Sequence, residues 1–558
     1  MKFSRYCQQT IIFAALLLQF ACSQSPGQAV IASADPRATD AGMEILAKGG
    51  NAFDAAVAVS AALGVVEPAA SGLGGGGFYL LYVAAKDQYR FIDAREKAPQ
   101  KATRDMFLDQ AGEPVQRAST DGPLAAGIPG EPAGLVYLAE TFGKLSLDVS
   151  LAPAIRLADE GFKIKPRALL GLKFRKSTLL ESPEFARIFY PDGEVPAAGT
   201  LIKQPELSAT LKRLAAAGFD GYYKGETARL LVNGVRQAGG IWTAEDLENY
   251  RVTEREPIIA NYGNMKIISA PPPSSGGIAL TQMFNFLSGY ELSDADAAER
   301  SHYMIEAMRR AYRDRALYLG DPDFVTIPLE MLTSPHYMAG QRVSTRPDRA
   351  TLSESLAGVA TDGSEGTQTT HFSILDKDGN RVAATITINT WYGSGFIPPG
   401  TGVILNNEMD DFSIKSGVPN NFNLIGDATN EIEPGKRPLS SMTPTFLESE
   451  RGLAIIGTPG GSQIITMVLE AALAWKDGAT AKEMVSKKRF HHQYLPDTVT
   501  YEEGAFTPEE QARLEEMGHK LVLSRRPYGN MNVVTWDFAT KRAEAASDPR
   551  GESEGQVY

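Results

Sequence analysis

The chain has 558 residues and a mass of 60.2 kDa, and its 43% hydrophobic and 22% charged residues are typical of a globular protein. This composition excludes a globally disordered, collagen-like or polytopic membrane protein. The 67 acidic residues outnumber the 55 basic ones, which gives a formal net charge of −12. Because the sequence also has no dense run of Lys and Arg, we expect no nucleic-acid partner.

Residues 1–22 have the pattern of a secretory signal peptide. Two basic residues precede the apolar stretch 11–18, which is too short to span a bilayer, and small residues follow it. We therefore expect an exported protein, either periplasmic or extracellular, or anchored to the outer membrane through a lipid on Cys22. Simple cleavage near that position is the alternative. Cys7 and Cys22 are the two cysteines, so the remaining chain has no disulfide.

The first elements after the signal are two helices and a β-hairpin. Helical periodicity over residues 40–66 is interrupted at Gly49 and Gly50. A glycine-rich segment, 71–77, then leads into predicted strands at 78–83 and 89–93. A nucleotide-binding glycine loop follows a strand and opens a helix. The order here favours close backbone packing instead of phosphate binding.

The middle of the chain, from about residue 130 to 320, is predicted to be mainly helical, with extended pieces near 258 and 267–269. The predicted helices are 151–160, 205–217, 225–238, 278–287 and 300–318. The segment that follows, 345–368, is polar and nearly aperiodic. It therefore predicts an exposed stretch that is open to proteolytic cleavage.

A second hairpin is predicted from strands at 369–375 and 381–389 around the turn 376–380. If this five-residue loop closes symmetrically, Thr369 lies directly opposite Thr387, and their Cβ atoms are about 4.5–5.5 Å apart. Thr385 and Asn389 share the face of Thr387. This polar row is either a solvated sheet edge or part of a site.

Cleavage before Thr369 would create a nucleophile that carries its own base. A hydroxyl is a weak nucleophile at neutral pH, whereas the α-amine of an N-terminal threonine, with a pKa of about 7.7–8.0, can accept its proton. No histidine is then needed. The six histidines show no metal-ligand spacing, and the sequence contains no Gly-x-Ser-x-Gly motif. We expect neither a metal nor a cofactor.

The segment Thr369-Thr-His-Phe-Ser373 resembles the start of the small subunit in the γ-glutamyltranspeptidase (glutathione hydrolase) family of the N-terminal nucleophile hydrolase superfamily. Further matching blocks follow the family's order and cover nearly all of the chain after the signal. They are Gly49-Gly-Asn-Ala-Phe-Asp-Ala-Ala56, Gly74-Gly-Gly-Gly-Phe78, Pro271-Pro-Pro-Ser-Ser-Gly-Gly277, Tyr318-Leu-Gly-Asp-Pro-Asp323, Leu405-Asn-Asn-Glu-Met-Asp-Asp-Phe412, Arg437-Pro-Leu-Ser-Ser-Met-Thr443 and Thr458-Pro-Gly-Gly-Ser462.

The resemblance implies an α+β fold, the four-layered αββα sandwich, built from two subunits of one precursor. Autocatalytic scission between Gln368 and Thr369 would give a large subunit, 23–368, and a small subunit, 369–558, which form a heterodimer. The new N-terminal Thr369 would attack the γ-carbonyl of the substrate, and Thr387 would hydrogen-bond its hydroxyl.

The resemblance also assigns the oxyanion donors and the residues that bind the substrate. The backbone N–H groups of Gly460 and Gly461 would stabilise the oxyanion. Without the resemblance, we would interpret Gly460 and Gly461 as an ordinary turn and Arg95 as a surface cation. We would likewise interpret Glu408 and Asp411 as a solvated acidic turn. The α-carboxylate of the glutamyl group would bind Arg95, Ser440 and Ser441, and its α-ammonium would bind Asn389, Glu408 and Asp411.

The 28 residues between Asp411 and Ser440 are too many and too polar for a simple connection. In some family members this segment is a lid over the glutamyl pocket, with a tyrosine at the position of Phe422. The phenylalanine keeps the ring and lacks the hydroxyl.

These implications predict an enzyme that transfers the γ-glutamyl group of glutathione and related compounds to water or to amino acid and peptide acceptors. One alternative is a related acylase for glutaryl-type side chains, which would share Thr369 and Gly460 but would not need a cation-binding carboxylate pair. Another is an exported amino-acid-binding protein with an inactive nucleophile. The presence of both Glu408 and Asp411 favours the γ-glutamyl substrate.

Overall fold

The computed structural model describes residues 25–356 and 369–558. The predicted signal peptide with Cys22 lies outside the described residues, as does the whole second half of segment 345–368, residues 357–368, which includes Gln368. Within the described ranges, no helix is both long enough and apolar enough to cross a membrane.

Eighteen strands and eighteen α-helices are described, together with several short 3₁₀ turns. The strands are β1 (Val30–Ser33), β2 (Gly76–Val83), β3 (Gln88–Ala94), β4 (Phe162–Lys163), β5 (Leu201–Ile202), β6 (Thr253–Arg255), β7 (Ile258–Tyr262), β8 (Met265–Ser269), β9 (Thr370–Leu375), β10 (Arg381–Thr387), β11 (Thr445–Ser449), β12 (Gly452–Gly457), β13 (Phe490–His491), β14 (Val499–Tyr501), β15 (Leu521–Leu523), β16 (Asn532–Asp537), β17 (Ala543–Ser547) and β18 (Glu554–Val557). The helices are α1 (Pro36–Ala47), α2 (Ala52–Val66), α3 (Glu131–Phe142), α4 (Leu147–Glu160), α5 (Pro166–Phe174), α6 (Lys176–Leu179), α7 (Pro183–Phe189), α8 (Pro205–Ala217), α9 (Phe219–Tyr223), α10 (Gly225–Gln237), α11 (Ala244–Glu248), α12 (Gly276–Leu287), α13 (Ala297–Tyr318), α14 (Leu329–Thr333), α15 (Pro335–Arg342), α16 (Ile464–Lys476), α17 (Ala481–Ser486) and α18 (Pro508–Glu516).

Two large sheets pack face to face between two layers of helices. The first sheet has the strand order β18-β1-β9-β10-β2-β3-β6, and the second has the order β17-β16-β12-β11-β8-β7. Strands β1, β9 and β10 contact β12, β16 and β17 across the interface. Helices α2 and α3 cover the outer face of the first sheet, while α12 and α16 cover that of the second. This arrangement is the four-layered αββα sandwich that the family resemblance implies.

Alternation along the strands of the first sheet explains why both of its faces are buried. Phe78 and Leu80 of β2 belong to the core between the sheets, whereas Tyr79 and Leu81 belong to the core under the helices. Side chains on a strand alternate between the two faces, so an apolar run such as β2 needs cover on both sides. The second sheet and the helical layer supply that cover.

The first two helices begin at side-chain caps and are separated as the sequence predicts. The Asp35 carboxylate accepts a hydrogen bond from the backbone of Arg37 at the start of α1. Asn51 and Asp54 form a capping box at the start of α2. The break between the helices falls at Gly49 and Gly50, and almost every residue of the alanine-rich α2 is buried.

The glycine-rich segment before β2 allows two backbones to approach closely, as the sequence order predicts. A Cβ atom added to Gly74 would lie 1.9 Å from the carbonyl oxygen of Ile404, and one added to Gly75 would lie 1.9 Å from that of Thr387. Both separations are far below van der Waals contact. Glycine is therefore required at both positions, because the end of β10 and the chain that follows it pass directly against them.

Other predicted elements are confirmed with small shifts of their ends. The hairpin β2–β3, the helices α4, α8, α10, α12 and α13, and the hairpin β9–β10 all lie where periodicity places them. The sequence analysis did not identify β11, β12, β16 and β17, which form most of the second sheet.

The described part of the predicted cleavage segment, residues 345–356, is largely exposed, but several hydrogen bonds hold it to the rest of the structure. The backbone N–H of Thr351 donates to Glu306 of α13 over 3.0 Å. The backbone N–H of Ser353 donates to Asp497 over 2.8 Å. Residues 345–356 are therefore held by Glu306, which precedes the predicted cleavage segment in the sequence, and by Asp497, which follows it.

The packing of Gly75 gives a stability prediction. Gly75→Ala should lower the free energy of unfolding by at least about 1–3 kcal/mol, because its methyl group overlaps the Thr387 carbonyl. Gly340→Ala in α15 is the matched control, since a Cβ there has no neighbour within 4 Å. We expect it to be neutral or stabilising by about 0.5–1 kcal/mol. Urea denaturation measures both changes, and equal stability of the two variants would contradict the close-approach interpretation.

Candidate active site

The register of the hairpin β9–β10 places the two predicted threonines side by side. Ile386 pairs with Thr370, and the antiparallel order continues to Thr387 and Thr369. Their hydroxyl oxygens are 3.4 Å apart, and both residues are buried. Thr387 also accepts a hydrogen bond of 2.8 Å from the backbone of Asn389. The polar row is thus not a solvated edge.

A buried polar group lies beneath Thr369 between the two sheets. His371, on the same face of β9, contacts the Thr385 hydroxyl at 2.8 Å and Ser373 at 3.1 Å. Burial lowers the pKa of His371 to about 3, so the imidazole is neutral at physiological pH. Its two ring nitrogens are engaged by neighbours of the same hairpin. His371 therefore positions the strand and does not act as a base for Thr369.

Two glycines at the start of a helix present backbone N–H groups near Thr369. Gly460 and Gly461 have φ angles of +148° and +55°, in the region that favours glycine. Among the described residues, neither amide hydrogen has an acceptor. The 3₁₀ turn Gly461–Gln463 leads directly into α16, whose N-terminus carries partial positive charge. This end of the helix suits a developing oxyanion.

Most of the predicted site residues line one small cavity, which we call the inner cavity. It lies between the end of the hairpin β9–β10, the loop after β3 and the start of α16. Its lining residues are Arg95, Arg315, Thr369, Thr387, Asn389, Glu408, Asp411, Phe422, Leu424, Leu439, Ser440, Ser441, Met442, Gly461 and Ile464. Gly460 lines the neighbouring cleft instead, and Gln368 lies outside the described residues.

Arg95 is the centre of a buried ionic group in this cavity. Its guanidinium donates to Glu408 over 2.5 Å and to Asp411 over 2.5 Å, and it lies 3.4 Å from Glu96. The Arg95 side chain is 1% exposed. The donor groups of the Arg95 guanidinium are therefore occupied by Glu408 and Asp411, which the resemblance assigns to the α-ammonium of the substrate. A substrate carboxylate that binds Arg95 would have to share or replace one of these contacts.

Three carboxyl groups surround one arginine, so they could not all ionise without a surplus of buried negative charge. Burial raises the pKa of Glu96 to about 8, although Arg95 opposes the shift. Burial, together with the charge of Glu96, raises the pKa of Glu408 well above its usual range. Burial also raises the pKa of Asp411. The group consequently holds protons at neutral pH that a bound cation would displace.

Two buried polar atoms at the inner cavity have no hydrogen-bond partner among the described residues. They are Glu408 Oε2 and Ser441 Oγ. A buried polar atom without a partner is costly unless a ligand or water satisfies it. One is a carboxylate oxygen that can accept from a cation, and the other is a hydroxyl that can donate to an anion. The cavity is thus complementary to a group that carries both charges.

The proline-rich turn before α12 holds the serine pair in place. Ser440 donates its backbone N–H to Pro273 over 2.8 Å and accepts from the backbone N–H of Ser275 over 2.8 Å. The Ser274 hydroxyl donates to the carbonyl of Met442 over 2.7 Å. Residues from two distant blocks of the sequence therefore fix the position of Ser441.

The segment between Asp411 and Ser440 covers the inner cavity with the side chains of Phe422 and Leu424. Gln493 donates to the carbonyl oxygens of Phe422 and Asn423 over 3.2 and 3.0 Å. Asn420 accepts from the backbone of Phe422 and Leu424. Hydrogen bonds between these two side chains and its backbone therefore hold the covering segment in place, and Phe422 is 5% exposed.

The sequence analysis missed Arg315, a second buried arginine of the inner cavity. It lies near the end of α13 and donates to the Ser275 hydroxyl over 3.1 Å. Burial, together with the charge of Arg95, lowers the pKa of Arg315 to about 10. A signal was available, since Arg315 lies only three residues before Tyr318, where a matching block begins.

The structure also brings together two histidines and a glutamate that showed no metal-ligand spacing. One ligand atom from each of His302, Glu306 and His519 lies within 4.8 Å of the others. The Glu306 carboxylate is already bonded to Arg309, Arg310 and Thr351, and the two imidazoles contact each other at 2.8 Å. These contacts make the group an ionic anchor for the segment that begins at residue 345.

Comparisons with known proteins show the family to which the chain belongs. The γ-glutamyltranspeptidase family model matches residues 38–558. A glutathione hydrolase proenzyme from Pseudomonas sp. (strain A14) is 42% identical over 93% of this chain and 91% of its own length, and the one from Escherichia coli K12 is 40% identical over 94% and 90%.

Solved structures give the same result. Helicobacter pylori γ-glutamyltranspeptidase matches with a TM-score of 0.57 and 39% identity, covering 60% of this chain and 97% of its own. A cephalosporin acylase from Bacillus halodurans matches with a TM-score of 0.84 and 26% identity over 95% of each chain. The chain belongs to the γ-glutamyltranspeptidase family.

Proposed function

We propose that this protein is a γ-glutamyltransferase and glutathione hydrolase whose nucleophile is the N-terminal threonine formed by cleavage before Thr369. The observation that carries the proposal is the inner cavity, where the Thr369–Thr387 pair adjoins a buried surplus of carboxylates and an unpartnered serine hydroxyl. The large subunit, 23–368, and the small subunit, 369–558, would remain together as a heterodimer, because β9 and β10 of the small subunit lie between β1 and β2 of the large subunit in the first sheet.

The reaction follows from these positions. Thr369 Oγ attacks the γ-carbonyl carbon while its proton passes to the free α-amine of the same residue. The oxyanion of the tetrahedral intermediate accepts from the N–H groups of Gly460 and Gly461, and losing one such donor costs about 2.7–4 kcal/mol. The α-ammonium then protonates the departing amine, which leaves a γ-glutamyl ester on Thr369. Water or an acceptor amine attacks this ester and regenerates the hydroxyl.

The charges of the inner cavity match the two charges of a γ-glutamyl group. The α-ammonium would bind Glu408 and Asp411, with the amide oxygen of Asn389 nearby. The α-carboxylate would bind Arg95 and the hydroxyls of Ser440 and Ser441. Binding in this way satisfies Glu408 Oε2 and Ser441 Oγ, the two atoms that have no partner among the described residues.

A glutaryl-type acylase is the weaker candidate, although a cephalosporin acylase shares the fold. A glutaryl group has no α-ammonium, so the buried carboxylates around Arg95 would have no cation to bind. Such a substrate would leave Glu408 Oε2 unsatisfied. The proposal also includes export through the predicted signal, with or without a lipid on Cys22.

Thr369→Ala tests the nucleophile. This variant should remain a single chain without hydrolase activity, because both cleavage and turnover need the hydroxyl. Thr369→Ser should be processed, and so should Thr370→Ala, whose side chain bonds Glu67 outside the inner cavity. Electrophoresis and intact-mass measurement check these outcomes. Mature subunits from Thr369→Ala would mean that the nucleophile is another residue.

Arg95→Lys tests the substrate-binding role of the buried guanidinium. A point charge replaces a planar fork, so KM for γ-glutamyl-p-nitroanilide should rise by about ten-fold or more, with a smaller change in kcat. Arg255→Lys is the control, since Arg255 is a largely buried arginine that pairs with Asp93 and Asp323 outside the inner cavity. An unchanged KM for Arg95→Lys would remove Arg95 from the site.

The raised carboxyl pKa values predict how binding depends on pH. With the pKa of Glu96 at about 8, this group is protonated in the free site below that pH, and a bound ammonium favours its ionised form. Binding therefore releases a proton, and KM should rise as the pH falls from about 7.5 to about 6, by up to about ten-fold per pH unit. Glu96→Gln should weaken this dependence. A KM that is constant across this range would contradict the assignment.

A further inference from the structure

A second cavity, which we call the outer cleft, adjoins the inner cavity on the other side of the segment between Asp411 and Ser440. Its volume is about 620 Å³, within the range of about 300–1,000 Å³ that is typical of ligand sites. Asn423 and Gly460 line the outer cleft, whereas their neighbours Phe422, Leu424 and Gly461 line the inner cavity. The two spaces therefore meet at the proposed oxyanion donors.

The outer cleft is basic, in contrast to the acidic protein around it. Its described lining contains Arg167, Arg525 and Arg526 and no Asp or Glu, while the whole chain has a net charge of −12. None of these three arginines has an ion-pair partner within 4.0 Å among the residues that the structure describes. The charges of Arg525 and Arg526 are consequently available to an anionic ligand, whereas the charge of Arg167 also acts on the buried Glu67, where it opposes the rise in pKa that burial causes.

Aromatic and apolar side chains support two of these arginines and form the rest of the wall. The Arg167 guanidinium lies 5.9 Å from the ring centre of Trp391, and that of Arg526 lies 4.9 Å from that of Phe174. Val522 and Leu523 of β15 are exposed to the outer cleft. The cleft therefore combines apolar surface with fixed cations, as sites for peptides do.

The orientation of the substrate determines which part of it enters the outer cleft. If the glutamyl group fills the inner cavity and its carbonyl oxygen binds Gly460 and Gly461, the other side of the scissile bond must extend past Gly460. A dipeptide in extended conformation reaches about 7 Å. The terminal carboxylate of such a leaving group thus enters the basic cleft.

We infer that the outer cleft is the subsite for the leaving group and the acceptor, and that Arg525 and Arg526, with Arg167, select peptides that end in a free carboxylate. This inference rests on the proposed function and names its substrate class: γ-glutamyl peptides with an anionic C-terminus, of which glutathione is one. An acceptor peptide occupies the same cleft with its amine toward Thr369.

The test compares glutathione with glutathione whose glycine carboxylate is converted to an amide. The processed wild-type heterodimer should prefer glutathione in kcat/KM by about three- to ten-fold, as expected for two exposed ion pairs. The double variant Arg525→Gln/Arg526→Gln should bring this ratio close to one. Added salt should lower the wild-type ratio, since the arginines are exposed. Arg542→Gln, whose side chain is 76% exposed outside the cleft, should keep the ratio of the wild type.

The possible outcomes separate the two proposals. A wild-type ratio near one, or a ratio that the double variant leaves unchanged, overturns the subsite while γ-glutamyl-p-nitroanilide is still hydrolysed. Failure of the processed wild type to hydrolyse any of the three γ-glutamyl compounds overturns the proposed function itself, and the subsite with it. If the double variant is unstable, the single variants Arg525→Gln and Arg526→Gln give the same comparison, each with a smaller change of the ratio.

Discussion

The pairing of β9 with β10 is the constraint on which the site depends. The hairpin fixes Thr369 opposite Thr387, and the second sheet covers the face on which both side chains lie. A shift of β9 by one residue against β10 would turn the Thr369 hydroxyl toward the helices and away from Thr387. The contacts of His371 with Thr385 and of Ser373 with β12 and β16 hold the hairpin against such a shift. The position of the proposed nucleophile is therefore a property of the sandwich, and the proposed binding groups lie on the loops around it.

The electrostatics of the inner cavity explain how a small polar ligand can be held in a buried site. Arg95, Glu96, Glu408 and Asp411 are all largely buried, and the carboxylates outnumber the arginine. Such a group is costly until a cation balances it, and the raised pKa values of Glu96 and Glu408 express that cost. In the proposed function, a zwitterionic α-amino acid group would supply both missing partners, a cation for Glu408 Oε2 and an anion for Ser441 Oγ. Stability and recognition are thus linked through the same four side chains.

Local patterns in the sequence predicted the parts of this structure that depend on neighbouring residues. The two helices around Gly49 and Gly50, the close approach at the glycine-rich segment, and the register of Thr369 and Thr387 follow from periodicity and loop length. The order of strands in the second sheet, the position of Arg315 and the outer cleft did not follow. They depend on contacts between segments that are far apart in the sequence, and no local pattern predicts such contacts. Arg167 and Arg525, for example, line the same cleft although hundreds of residues separate them. The roles proposed for Arg95, Glu408 and Asp411 rest on the family resemblance, because each is an ordinary charged residue when taken alone.

The central claim is that Thr369, once it is a chain end, carries the glutamyl group. The most direct measurement is to quench the purified, active protein with acid during turnover of a γ-glutamyl substrate and to map the modified peptide by mass spectrometry. The account predicts a small subunit that begins Thr369-Thr370-His371-Phe372, with a fraction one glutamyl group heavier and the addition located on Thr369. An active preparation without a chain that begins at Thr369, or with the glutamyl group on another residue, would contradict it.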